Sequence, residues 1–183
     1  MRGVLKTGVA VAAALALSAF GAVPASAGEQ PKPGPWERYD ETYTLPQGTA
    51  CKSPVLVHQR GAYRITDLGN GKTAYEFADW SRVRWTNPKK HRSYSKLEGG
   101  DTVEKQVSPS VIKVRAEGDN WGQGNGIYGI PWSRGNISYT VIKADTPDYE
   151  FVDLDLSHAR KVMQVCYKIG SKPVRGSNVP AES

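Results

Sequence analysis

Little in this sequence offers the usual handles of catalysis or metal binding. Its 183 residues include two cysteines, three histidines, two methionines and three phenylalanines. No further soft ligand stands beside either cysteine at zinc-like spacing, which argues against a zinc site. There is no G-x-S-x-G elbow and no H-E-x-x-H helix, so the α/β-hydrolase and zincin signatures are missing. No apolar stripe of helical period runs for a useful length, which argues against a helical bundle. After the first 27 residues no stretch is apolar enough for a membrane helix, which takes about 20 residues. No repeat of fixed period aligns. No RRM, zinc-finger or helix-turn-helix signature occurs, which argues against nucleic acid as the partner.

What is present begins with a leader. Arg2 and Lys6 precede the apolar run Val9–Leu17, and Ala25-Ser26-Ala27 supplies the small residues that a signal peptidase reads. The pattern predicts a signal peptide over residues 1–27 and a secreted chain with no transmembrane segment. Export places Cys51 and Cys166 in an oxidising compartment, where one pairing is open to them. Closing a loop of roughly 100 residues is worth about 4.7 kcal/mol in the chain-entropy treatment.

Residues 28–35 read as a flexible polar linker, 36–169 as a single β domain and 170–183 as a disordered tail. Inside the domain short alternating runs recur between turn residues. Val55 and Val57, Tyr63 and Ile65, Tyr75 and Phe77, Ile112 and Val114, Ile137 and Tyr139, and Val152 and Leu154 mark successive strands. Asn70-Gly71 is the strongest hairpin signal, because both residues accept a positive φ. Ser157–Lys161 reads as one helical turn. Strands at this spacing with Gly and Asn turns predict an all-β antiparallel fold, either a β-sandwich or a closed, barrel-like meander.

The segment Leu45-Pro46-Gln47-Gly48-Thr49-Ala50-Cys51 with Pro54, the hairpin Trp85-Thr86-Asn87-Pro88 with Ser93-Tyr94-Ser95, the Gly99-Gly100 pair and the late Cys166 form a pattern. It resembles a group of small, largely uncharacterised secreted proteins of actinobacteria. The resemblance implies a β-rich domain with one disulfide and transfers no catalytic residues. This chain is more basic at the hairpin than that group.

The hairpin Trp80–Leu97 holds Arg82, Arg84, Lys89, Lys90, Arg92 and Lys96 and no acid. Once Arg2 and Lys6 leave with the leader, these six bases exceed the whole remaining positive excess, so the basic character is local. Trp80 beside Arg82 could add a π-face. Two readings compete: a cationic surface for anionic polymers, and a solvated edge that blocks strand-to-strand aggregation. Trp121, Tyr128 and Trp132 lie on the Gly-rich stretch 118–134, as exposed stacking rings or as a cap folded over the core.

Gly124–Gly129 matches G-x-G-x-x-G, but Pro131 and β-like flanks replace the strand-to-helix context of a dinucleotide site. Leu45–Thr49 imitates a wall-sorting pentapeptide without the apolar tail. Asp153 and Asp155 on one strand face admit a calcium or acid/base reading. The expectation is a secreted, non-enzymatic β domain without cofactor, metal or catalytic residues. It would contact an anionic cell-envelope polymer, a carbohydrate or an extracellular protein through Trp121, Tyr128, Trp132, Arg82, Arg84, Lys89, Lys90 and Arg92. The alternatives are a small hydrolase or lyase using His58, His158 or the aspartate pair, and an inhibitor of an extracellular enzyme.

Overall fold

The computed structural model describes residues 31–122, 129–146 and 149–174. Eleven antiparallel strands join there in one sheet that curls into a half-barrel. In chain order they are β1 (Glu37–Leu45), β2 (Val55–Gly69), β3 (Lys72–Phe77), β4 (Arg82–Asn87), β5 (Arg92–Leu97), β6 (Gly99–Ser108), β7 (Val111–Trp121), β8 (Pro131–Gly135), β9 (Ile137–Ile142), β10 (Glu150–Asp155) and β11 (Ala159–Gln164). A four-residue helix, α1 (Val165–Lys168), follows. The antiparallel all-β expectation holds at that level. Among the described residues no helix is long and apolar enough to cross a membrane.

The hairpins form where turn chemistry placed them. Asn70 (φ 53°) and Gly71 (φ 68°) join β2 to β3. Asn87 turns β4 into β5, its Oδ1 accepting from the Lys89 N–H at 3.1 Å and its amide donating to the Ile169 carbonyl at 3.2 Å. The helical turn expected over Ser157–Lys161 is instead the entry to β11. Asp155 Oδ1 accepts from the Ser157 N–H at 2.8 Å, and the chain then pairs with β8. The side chain closes the turn locally, and the sheet ladder takes the backbone groups a helix would have used.

Sheet topology follows from two long strands that each carry two partners on one side. The first half of β2 pairs with β4 and its second half with β3, while β1 runs along the other side. Likewise β7 pairs with β9 and then with β8. At the β2 fork, Ala62 donates to Ser81 Oγ, which donates back to the Ala62 carbonyl, both at 3.3 Å. Gly61 permits this approach, since a Cβ there would stand 2.2 Å from Ser81 Oγ and 2.6 Å from the Tyr39 hydroxyl.

The curl brings β1, β2, β4 and β5 to face β8, β11 and α1. Val55, Val57, Val83, Trp85, Ile130, Trp132, Met163, Val165 and Ile169 fill the space between them. Cys51 and Cys166 are bonded inside this cluster, with Cα atoms 5.7 Å apart and a sequence separation of 115. Around the disulfide, Lys52 donates to the Lys172 carbonyl and Val174 to that of Ala50. Residues up to Val174, inside the segment expected to be disordered, are therefore held by backbone bonds. At the other end Gly34, in the expected linker, donates to the Ile65 carbonyl at 2.7 Å.

Candidate functional site: an arginine face and an aromatic cleft

Alternation on β4 sends Val83 and Trp85 into the core and leaves Arg82 and Arg84 exposed on the convex face. Register then decides who stands beside them. Arg60 on β2 is the direct cross-strand partner of Arg82, and His58 is that of Arg84. On the far side of β2, Asp40 of β1 is opposite Arg60, and Arg38 is opposite Ala62. Three strands thus contribute Arg38, Arg60, Arg82 and Arg84 to one open patch.

Its counter-charge is thin. Asp40 is bonded through Oδ1 to His58 Nε2 at 2.8 Å. Arg84 donates to Ser93 Oγ at 3.2 Å. Among the described residues none of the four guanidinium groups lies within ion-pair distance of a carboxylate. Like charges directly opposite one another destabilise a sheet. Farther along the convex face charge alternates in rows across β3, β6 and β7: Glu76, Asp101 and Glu117 come first, and Lys72, Lys105 and Lys113 stand four residues beyond them.

The edge-blocking alternative does not fit Arg82 and Arg84. Their strand is internal, bonded to β2 on one side and β5 on the other. Charges that protect an unpaired edge belong on the edge strand itself.

Beside the arginines the β2 fork opens a cleft of about 510 Å3 lined by Trp36, Arg38, Ala62, Glu76, Phe77, Ala78, Asp79 and Trp80. Trp36 and Trp80 are 46% and 50% exposed. Trp36 is braced: the Arg64 guanidinium lies 4.9 Å from its ring centroid and donates twice to Glu76 Oε2, at 2.8 and 2.6 Å. Trp80 sits in the link between β3 and β4. Ala78 donates to the Ala62 carbonyl at 2.9 Å, and Ser81 donates to that of Ala78 at 2.9 Å.

The remaining predicted contacts go elsewhere. Trp132 is 1% exposed in the core. Trp121 packs edge-on against Trp85 at 5.4 Å between centroids and donates through Nε1 to the buried Glu98 carboxylate at 2.8 Å. Tyr39 also donates to Glu98, at 3.2 Å, and burial pushes that carboxyl above its ordinary range. Tyr128 lies outside the described residues. Lys89 reaches Gln47 Oε1 at 2.8 Å, while Lys90 and Arg92 lie against Gly170, at the tip of the hairpin. Lys96 faces inward, 4.5 Å from the Trp132 ring centroid. The basic hairpin is therefore divided between the convex face, the tip and the interior.

The acidic candidates are also apart. Asp153 sits at a bulge with φ 55°, and Asp155 is held below its ordinary range by the Ser157 hydrogen bonds. Their strand lies five steps from the β2 of His58 in the sheet order, roughly 24 Å along the curled sheet at normal strand spacing, whereas His158 is near enough to Asp155 to help hold its carboxyl down. Among the described residues no group of three His, Cys, Asp or Glu side chains is placed to hold a metal ion.

Sequence reasoning missed Arg38, Arg60 and Trp36. Their alternation was readable; their alignment with Arg82 and the cleft depends on register. Comparison with family models, with curated proteins and with solved structures gave no match to this chain.

Proposed function

We propose that this chain is an exported, non-catalytic binding domain that holds an anionic polymer of the cell exterior on its arginine face. The observation that carries the proposal is the set of Arg38, Arg60, Arg82 and Arg84, drawn from three strands onto one open surface without an ionic partner among the described residues. A folded chain gains nothing in stability from such a cluster, and guanidinium groups match phosphate, sulfate and carboxylate geometry. The leader-like N-terminus and the Cys51–Cys166 disulfide support a location outside the cytoplasm.

The test is a salt titration of heparin and polyphosphate binding by wild type and by Arg60→Glu/Arg82→Glu. Affinity should fall steeply with salt, and the double variant should lose at least about tenfold with a shallower slope. Wild-type affinity that ignores salt, or a double variant that binds normally, would refute the assignment.

A further inference from the structure

The cleft at the β2 fork has the features of a ring-binding subsite. Two half-exposed indoles stand in its lining, Phe77 adds a third aromatic, and the buried Ala62 contributes no bulk. Its volume, about 510 Å3, lies within the usual 300–1,000 Å3 of small-molecule sites. The wall is fixed before any ligand arrives. Arg64 and Glu76 clamp Trp36, and Gly34 anchors the backbone just ahead of it to Ile65. Preorganised aromatic area of this kind lowers the ordering cost of binding.

The polar groups of the lining narrow the ligand. Asp79 and the Glu76 oxygen that Arg64 leaves free accept hydrogen bonds from hydroxyls and repel anionic groups of any kind, which favours an uncharged, hydroxyl-bearing part of the ligand here. Arg38 belongs both to the cleft and to the arginine face, so a ligand can extend from one to the other without a break. Hydroxyl-rich rings for the indoles and carboxylates, and regular anions for the guanidiniums, occur together in one class of polymer. We infer that the cleft between Trp36 and Trp80 takes a sugar ring, and that the ligand of this face is an anionic polysaccharide. The inference rests on the arginine-face proposal and adds the ring to it.

Three probes separate the two: a heparin hexasaccharide, with rings and anions; inorganic polyphosphate, with anions alone; and an oligothymidylate, with bases and phosphates. Trp36→Ala and Trp80→Ala should each weaken heparin binding by about three- to tenfold, the span of one aromatic contact, and leave polyphosphate within about twofold. Arg60→Glu/Arg82→Glu should weaken both. In wild type, the Trp36 and Trp80 indole N–H signals should shift with heparin and stay in place with polyphosphate, a readout that does not depend on how the variants fold. Equal effects of the tryptophan substitutions on heparin and polyphosphate, or none on either, would overturn the sugar subsite while leaving the arginine face standing. Arginine variants that bind heparin normally would overturn the face itself. Oligothymidylate bound more tightly than heparin, with the same tryptophan dependence, would replace the sugar with a nucleobase.

Discussion

Replacing Arg82 with glutamate should make the protein more stable and less able to bind. Arg82 and Arg60 are direct partners across β2 and β4, and both are exposed. Two like charges about 7 Å apart in water repel by about 0.6 kcal/mol. Screening at physiological ionic strength, with a Debye length of about 8 Å, leaves less than half of that. Arg82→Glu turns the repulsion into an attraction of similar size. The expected gain is therefore about 0.5–1.2 kcal/mol in low salt, in line with measured cross-strand charge pairs. For a domain of this size that raises the melting temperature by about 1–4 °C.

The assay is urea unfolding with the disulfide intact, at 20 mM and at 1 M salt, beside heparin binding at the lower salt. The gain should shrink almost to nothing at 1 M, where the Debye length is about 3 Å, and heparin affinity should drop. A loss of stability beyond about 1 kcal/mol would mean that the Arg82 stem packs on the sheet as a structural cover. A gain that survives 1 M salt would mean that charge was not its source. Either result removes the reason for treating the arginine pair as a functional expense.

Three further outcomes follow from the packing. Reduction of Cys51–Cys166, which closes a loop of 115 residues, should lower stability by about 2–5 kcal/mol, seen as a fall in the urea midpoint with reductant. Trp132→Ala should cost about 3–5 kcal/mol because the ring is buried, whereas Trp80→Ala at the cleft should shift the midpoint by less than about 1 kcal/mol; comparable losses would place Trp80 in the core. Burial raises the Glu104 carboxyl to about 7, against a hydrogen bond from Tyr75 that lowers it. Its folded pKa lies above its unfolded one, so stability present below pH 4.5 is lost as pH rises toward 7, by at most about 3 kcal/mol. Glu104→Gln should flatten wild-type stability across that window, and an unchanged pH profile would show that the carboxyl is well solvated.

How much of this was legible in the chain depends on the range of the signal. Alternation at Arg82-Val83-Arg84-Trp85 gave the correct faces, because a strand has a period of two whatever its neighbours are. Asn70-Gly71 and Asn87-Pro88 gave two hairpins, because their turn geometry is local. Two cysteines gave one pairing. Trp121 and Trp132 were harder: a glycine-rich flank is compatible with exposed rings, and only the curl of the sheet takes Trp132 into the core opposite Trp85.

The alignment of the arginines could not be read, for a reason that also bears on what they do. Arg60 and Arg82 belong to strands that are not joined by a hairpin; β3 lies between them in sequence, and both β3 and β4 pair with β2. Their meeting depends on the fork at Ala62, clipped by Ser81 and made possible by the absence of a side chain at Gly61. A one-residue slip of β4 on β2 would turn Arg82 and Arg84 into the core and Val83 and Trp85 out to solvent, so burial of Trp85 locks the register. The core thus enforces an arrangement that electrostatics opposes. The same fork that brings the charges together also opens the cleft between Trp36 and Trp80, so one backbone feature builds both halves of the site.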